Sequence, residues 1–192
     1  PWWLQNNPDL VIRTNNKAFL EACKTYLEHL SAEVKGLFAN QGGPIIMVQV
    51  ENEFGSYVSQ RTDISAEDHK AYKTAIYNML KETGFPEPFF TSDGTWLFEG
   101  GAVEGVLPTA NGESNIDNLK KQVDKYHKGQ GPYMVAEFYS GWLDHWAEPF
   151  VKIGSEEIAS QTKKYLDAGV SFNYYMVHGG TNFGFTSGAN YN

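Results

Sequence analysis

Cysteine is almost missing from this chain: Cys23 stands alone among 192 residues. One thiol forms no disulfide within these residues and builds no cysteine-ligated metal site. It falls at an apolar position of a helical stretch, which predicts a buried structural thiol. Cations are scarce too. Fifteen Lys and Arg stand against 23 Asp and Glu, giving a net charge of −8 and a pI near 5.1. Phosphate binding needs a basic surface, so nucleic acid is a poor partner and a neutral ligand a better one. No uninterrupted apolar run approaches the length of a bilayer span. The opening Pro1-Trp2-Trp3-Leu4 has neither the basic start nor the apolar core of a signal peptide. It reads as mid-domain sequence, so the chain is expected to begin inside a larger protein. No Gly-x-Gly-x-x-Gly turn follows a predicted strand, so dinucleotide binding lacks support. Ser56, Ser92 and Ser140 lack the Gly-x-Ser-x-Gly elbow of a serine hydrolase. His145 has no second histidine at ligand spacing, which points to a hydrogen-bonded, loop-ordering role and to no metal.

What remains is globular and rich in rings. Hydrophobic residues make up 41%, charged residues only 20% and aromatics 15%, with many of the aromatics in predicted loops. Apolar stripes predict helices over 16–38 (Phe19, Leu20, Cys23, Leu27, Leu30, Val34, Leu37), 66–82, 114–127 and 155–167. Strands are expected over 45–50, 88–92, 105–109 (the weakest), 133–137 and 172–177, the last followed by a Gly- and Asn-rich loop. His29, His69 and His127 fall on helices and are expected at the surface. Alternation of this kind implies parallel strands wrapped by helices, either doubly wound or a (β/α)8 barrel. Eighty-four residues separate Glu53 from Glu137. Three units of 28 would fill that gap, close to the roughly 31 residues per unit of a barrel of about 250.

Two acidic segments carry the chemistry. Gly42-Gly43-Pro44-Ile45-Ile46-Met47-Val48-Gln49-Val50-Glu51-Asn52-Glu53-Phe54 runs from an apolar strand into acids, and so does Tyr133-Met134-Val135-Ala136-Glu137. In a parallel barrel, residues that do chemistry sit at such C-terminal strand ends. Paired carboxyls facing one bond are the equipment for cleaving a glycosidic linkage. Alternation in the first strand directs Ile46, Val48 and Val50 toward helices, and Ile45, Met47, Gln49, Glu51 and Glu53 inward. The plain alternatives are a solvated loop at Glu51 and Glu53, and an ion pair with Lys or Arg at Glu137.

The first of these segments resembles the defining pattern of the family 35 glycoside hydrolases, the β-galactosidases related to the lysosomal enzyme. Glu137-Phe138-Tyr139-Ser140-Gly141-Trp142-Leu143-Asp144-His145-Trp146 resembles a second segment of that family. Tyr174-Tyr175-Met176-Val177-His178-Gly179-Gly180-Thr181-Asn182-Phe183-Gly184-Phe185 resembles a third. The three occur in the family's order, and the resemblance covers nearly the whole chain.

The resemblance implies a (β/α)8 TIM barrel, of which residues 1–192 would supply strands 4 to 8. The N-terminal strands and downstream β-rich domains would lie outside, and the piece alone would be inactive. It implies a retaining β-galactosidase acting on terminal β-galactose of an oligosaccharide or glycoconjugate. Glu137 would be the nucleophile and Glu53 the acid/base. Asn52 would bind sugar near its 2-hydroxyl, Tyr139 would steady a Glu137 oxygen, and Tyr175 would line the galactose pocket. Trp142 and Trp146 are candidates to wall that pocket. No metal or organic cofactor is implied. The alternatives are another retaining exo-β-glycosidase (glucosaminide, glucoside or mannoside) and a non-catalytic sugar-binding barrel. Family members occupy extracellular, periplasmic, lysosomal or vacuolar compartments, and the residues here do not choose among them.

Overall fold

The computed structural model describes residues 2–145 and 147–179. Trp146, the part of the third segment from Gly180 to Phe185, and the Gly- and Asn-rich loop beyond it lie outside the described residues.

A short helix α1 (Trp2–Asn6) precedes α2 (Lys17–Val34). The Asn16 side-chain oxygen accepts the Phe19 N–H at 3.1 Å and starts α2. Six members of the predicted stripe, Phe19 through Val34, pack against one core cluster. Leu37 is left 46% exposed, because the helix stops at Val34. Cys23 packs in that stripe half-buried. Burial, together with the charge of Glu51, pushes its thiol up to about 11 and keeps it protonated.

The first strand is shorter than expected: β1 is Val48–Gln49. Ile45 turns back instead, giving its N–H to the Leu37 carbonyl at 2.9 Å and accepting the Ala39 N–H at 2.7 Å. A helix α3 (Phe54–Gln60) follows directly after Glu53, where sequence had suggested a loop. Phe54 drives it, being 1% exposed in the core. Helix α4 (Ala66–Glu82) occupies its predicted span and is capped by Ser65, whose Oγ accepts the Asp68 N–H. His69 was expected at the surface but is 4% exposed. It lies three residues before Tyr72 on the buried face of α4, against the rings of Phe54 and Tyr57.

The rest of the chain alternates. β2 (Phe89–Asp93) leads to a short α5 (Phe98–Gly101), then β3 (Leu107–Asn111), α6 (Ile116–Tyr126), β4 (Met134–Phe138), α7 (Ser155–Asp167) and β5 (Ser171–Tyr174). The strand expected over 105–109 begins and ends two residues later. It is buried along its whole length, so it is central and not weak. The strand expected over 172–177 ends at Tyr174.

The five strands form one parallel sheet in the order β1-β2-β3-β4-β5. A doubly wound sheet reverses its order at a switch point; this one never does. Each strand adds beside the last, as in a (β/α)8 barrel, and the fold is an incomplete barrel of that class. Helices α2 and α4 cover β1 and β2 through a cluster around Val50, Tyr72 and Leu80. Helices α6 and α7 cover β3 to β5 through Leu119, Val123, Val135 and Tyr165.

Leu119 of α6 is fully buried at the centre of the second cluster. Leu119→Ala is expected to lower the stability of the full chain by about 3 kcal/mol, from lost transfer energy plus a cavity. Urea unfolding measures this; a loss under about 1 kcal/mol would mean the second cluster is not what holds α6 to the sheet.

Candidate active site

At the C-terminal end of the sheet the strands open onto a cavity of about 1170 Å³. Glu53 and Glu137 both line it, with Asn52, Tyr139, Trp142 and Tyr175. Thus these six residues singled out from sequence meet in one place.

A regular strand would not have aimed Glu137 there. On β4, Val135 faces the helix-side core, and strict alternation would send Glu137 the same way. Ala110 pairs with Val135 but Asn111 pairs with Glu137, so β4 carries one extra residue. The same slip recurs against β5, where Val135 pairs with Phe172 and Phe138 with Tyr174. This bulge turns Ala136 and Glu137 both toward the cavity and returns Phe138 to the core.

Beyond β1 the device is different. Glu51 and Glu53 both adopt left-handed backbone, with φ of 59° and 47°, a conformation that costs non-glycine residues roughly 1 kcal/mol each. The expected inward set is corrected as a result. Met47, Gln49 and Glu53 do line the cavity, joined by Ile46 and Asn52. Ile45 packs on the helix-side cluster, and Glu51 turns away from the cavity. Arg13 grips Glu51 with two bonds of 3.0 and 2.6 Å, and Tyr72 of α4 donates to it at 2.6 Å. Arg13 also donates to the Asn52 carbonyl at 2.7 Å and lies over the Tyr57 ring. This cluster clamps the backbone on either side of Asn52. Gln49 finishes the job from below, giving its amide protons to the Glu51 carbonyl and to Asn52 Oδ1, both at 2.8 Å. Asn52 itself lines the cavity.

Glu137 has no cationic partner among the described residues, so it is no structural ion pair. Tyr139 donates its hydroxyl to Oε2 at 3.0 Å. The Tyr139 ring in turn meets the Trp142 ring edge-on at 4.9 Å and stands near Tyr175, which is 46% exposed. His145 bonds Glu148 within its loop at 2.9 Å, as expected for a loop-ordering histidine.

Sequence reasoning missed Asn111. It is 3% exposed at the end of β3, between the two acids. Its Nδ2 donates to Glu53 Oε1 at 3.0 Å, and its side chain favours the charged form of Glu137 as well. Ser92 of β2 donates to Asn111 Oδ1, which fixes the amide with its protons toward the carboxylates. Burial raises the pKa of Glu137, and the charge of Glu53 adds to this; the Tyr139 and Asn111 bonds pull it down. A carboxyl whose folded pKa is raised favours folding while neutral. That contribution is full below the ordinary Glu range and is lost as pH rises through the folded value.

A family model described as "Glycosyl hydrolases family 35" matches residues 1–192. "Beta-galactosidase-1-like protein 3" of Mus musculus is 39% identical over 193 residues, which is 100% of this chain and 28% of that protein. "Beta-galactosidase-1-like protein 2" of Homo sapiens is 39% identical over 190 residues, 98% of this chain and 28% of that protein. "Beta-galactosidase" of Xanthomonas manihotis is 38% identical over 197 residues, 100% of this chain and 31% of that protein. The chain therefore spans under a third of the length of these relatives.

The amide of Asn111 favours the ionised form of Glu137. Carbon-13 titration of the Glu carboxyls should place Glu137 above the ordinary range of about 4.3, and higher still in Asn111→Ala. A Glu137 titration that does not move in that variant would contradict the shared-amide geometry.

Proposed function

The chain belongs to family 35 of the glycosyl hydrolases, and on that premise we propose that it carries the reacting groups of a retaining β-galactosidase. The reading rests on one observation: two carboxyl side chains from distant strands open onto one cavity, with the amide of Asn111 bonded to Glu53 and favouring the charged form of Glu137. Two relatives that print the name "Beta-galactosidase" cover this chain almost completely, at 38% and 34% identity.

In this mechanism Glu137 is the nucleophile and is ionised when substrate binds. It attacks the anomeric carbon of a terminal β-galactose residue, and the glycosidic C–O bond breaks. Glu53, protonated, gives its proton to the leaving oxygen. The product is a galactosyl ester of Glu137 and a free alcohol. Glu53 then takes a proton from water, the water oxygen attacks the anomeric carbon, and the ester bond breaks to return ionised Glu137. Two displacements keep the β configuration. Once Glu137 is esterified its negative charge is gone, so Glu53 gives up its proton more readily in time for its second role.

The neighbours supply the rest. Tyr139 holds one oxygen of Glu137 in place. In this reading Asn52, which lines the cavity, bonds the sugar near its 2-hydroxyl, an interaction that strengthens as positive charge develops on the ring. Tyr175 and Trp142 offer flat apolar faces for the sugar.

Glu137→Gln in the full chain should reduce hydrolysis of aryl β-galactosides by about 10⁴-fold or more while leaving the unfolding transition in place. Glu53→Ala should slow substrates with poor leaving groups far more than activated aryl galactosides in the bond-breaking step. Near wild-type turnover by Glu137→Gln, or equal losses on good and poor leaving groups for Glu53→Ala, would overturn the two assignments. A panel of aryl glucosides, mannosides and glucosaminides separates galactose from the competing sugars; faster cleavage of one of them would replace the substrate in this reading.

A further inference from the structure

The helix that starts just after Glu53 is capped by a side chain from another strand. Glu53 occupies the N-cap position of α3, yet its side chain makes no capping bond. Capping would fold that carboxyl back onto the helix and out of the cavity. Asp93, the last residue of β2, takes over the task. Its Oδ1 accepts the Gly55 N–H at 2.8 Å, and the Ser56 N–H, which donates to the Glu53 carbonyl at 3.0 Å, also favours the charged carboxyl group. The surroundings are shaped to it. Asp93 is 2% exposed. A β-carbon on Gly101 would stand 1.7 Å from Asp93 Oδ2, and one on Gly55 would stand 2.9 Å from Oδ1. Two glycines thus leave room for the Asp93 carboxyl group.

The charges facing Asp93 are few. Glu53 is the anion beside it, and Lys73 of α4 is the cation. Lys73 spends a proton on the Gly100 carbonyl at 2.8 Å, with Lys70 on the same helix repelling it. The remaining neighbours are the backbone amides of α3 and the small residues of α5.

We propose that Asp93 is a positioning residue for Glu53: it caps α3 in place of Glu53, frees the Glu53 carboxyl for the cavity, and ties that arrangement to its own ionisation. The inference rests on the reading of Glu53 as acid/base. Burial, with the Glu53 charge beside it, raises the Asp93 carboxyl to about 7 against the pull of the Gly55 and Ser56 amides. Ionised Asp93 is the stronger acceptor for these N–H groups at the positive end of α3. Neutral Asp93 still accepts from the helix, but more weakly.

Asp93→Asn in the full chain tests this, because Asn keeps the shape and one acceptor and mimics the neutral acid at every pH. Turnover of an aryl β-galactoside should match wild type within about twofold a unit or more below the Asp93 pKa. It should fall about tenfold below wild type a unit or more above it, with KM little changed. Loss by the same factor at all pH values, or no divergence, would overturn the proposal. A second readout needs no turnover. The amide nitrogen resonances of Gly55 and Ser56 should titrate in the wild-type chain with a midpoint near 7 and stay flat in Asp93→Asn. Flat resonances in the wild type would overturn the cap itself. Titrating resonances in a chain that cleaves no aryl β-glycoside would uphold the cap and sink the glycosidase reading, so the two failures are distinguishable.

Discussion

Two carboxyl groups of like charge share one cavity, and the local architecture follows from keeping them there. Half-buried carboxylates need donors, and a pair of them repels. A lysine or arginine would relieve both problems but would hold Glu137 in a permanent ion pair. The fold uses neutral donors instead. Asn111 gives its amide to Glu53 and favours the charged form of Glu137, Ser92 fixes which way that amide faces, and Tyr139 adds a phenol to Glu137. The neutral donors around Glu137 favour its charged state without locking it in an ion pair.

Aiming the acids requires irregular backbone at two strand ends. β4 takes one extra residue before Glu137, and the chain after β1 takes two left-handed residues around Asn52. Irregular backbone persists when its surroundings over-determine it. Here the supports come from the helix side. Arg13 and Tyr72 hold Glu51, and Arg13 holds the Asn52 carbonyl as well. Asp93 receives the first N–H groups of the helix that follows. Glu51 and Asp93 are thus acidic residues whose work is to let a third acid, Glu53, remain uncommitted.

Much of this was legible in sequence, for local reasons. Long amphipathic stripes set α4 and α7 on their predicted spans. Each glutamate of interest followed a β-branched or apolar run, and Tyr139 lay two residues from its partner. The signals that failed were those depending on register between strands. Alternation alone would have buried Glu137 against helices, because the extra residue in β4 has no mark in composition. It also sent Glu51 to the wrong side, because left-handed backbone at a glutamate carries no signature. Asp93-Gly94 and Asn111-Gly112 both look like turn dipeptides, so two strands that end on functional polar groups read as strands that end one or two residues early. His69 was recoverable: its three-residue spacing from Tyr72 already placed it on the buried face.

The central claim is that Glu137 forms a bond to the sugar while Glu53 handles the proton. A 2-deoxy-2-fluoro-β-galactoside with an activated leaving group tests it directly, since slowed turnover lets the covalent species accumulate. Peptide mass mapping of the full chain should find one added fluorogalactosyl group, on the segment Met134–Phe138 at Glu137, with Glu53 unmodified. A label on any other residue, or steady hydrolysis that releases α-configured sugar with no label at all, would contradict the account.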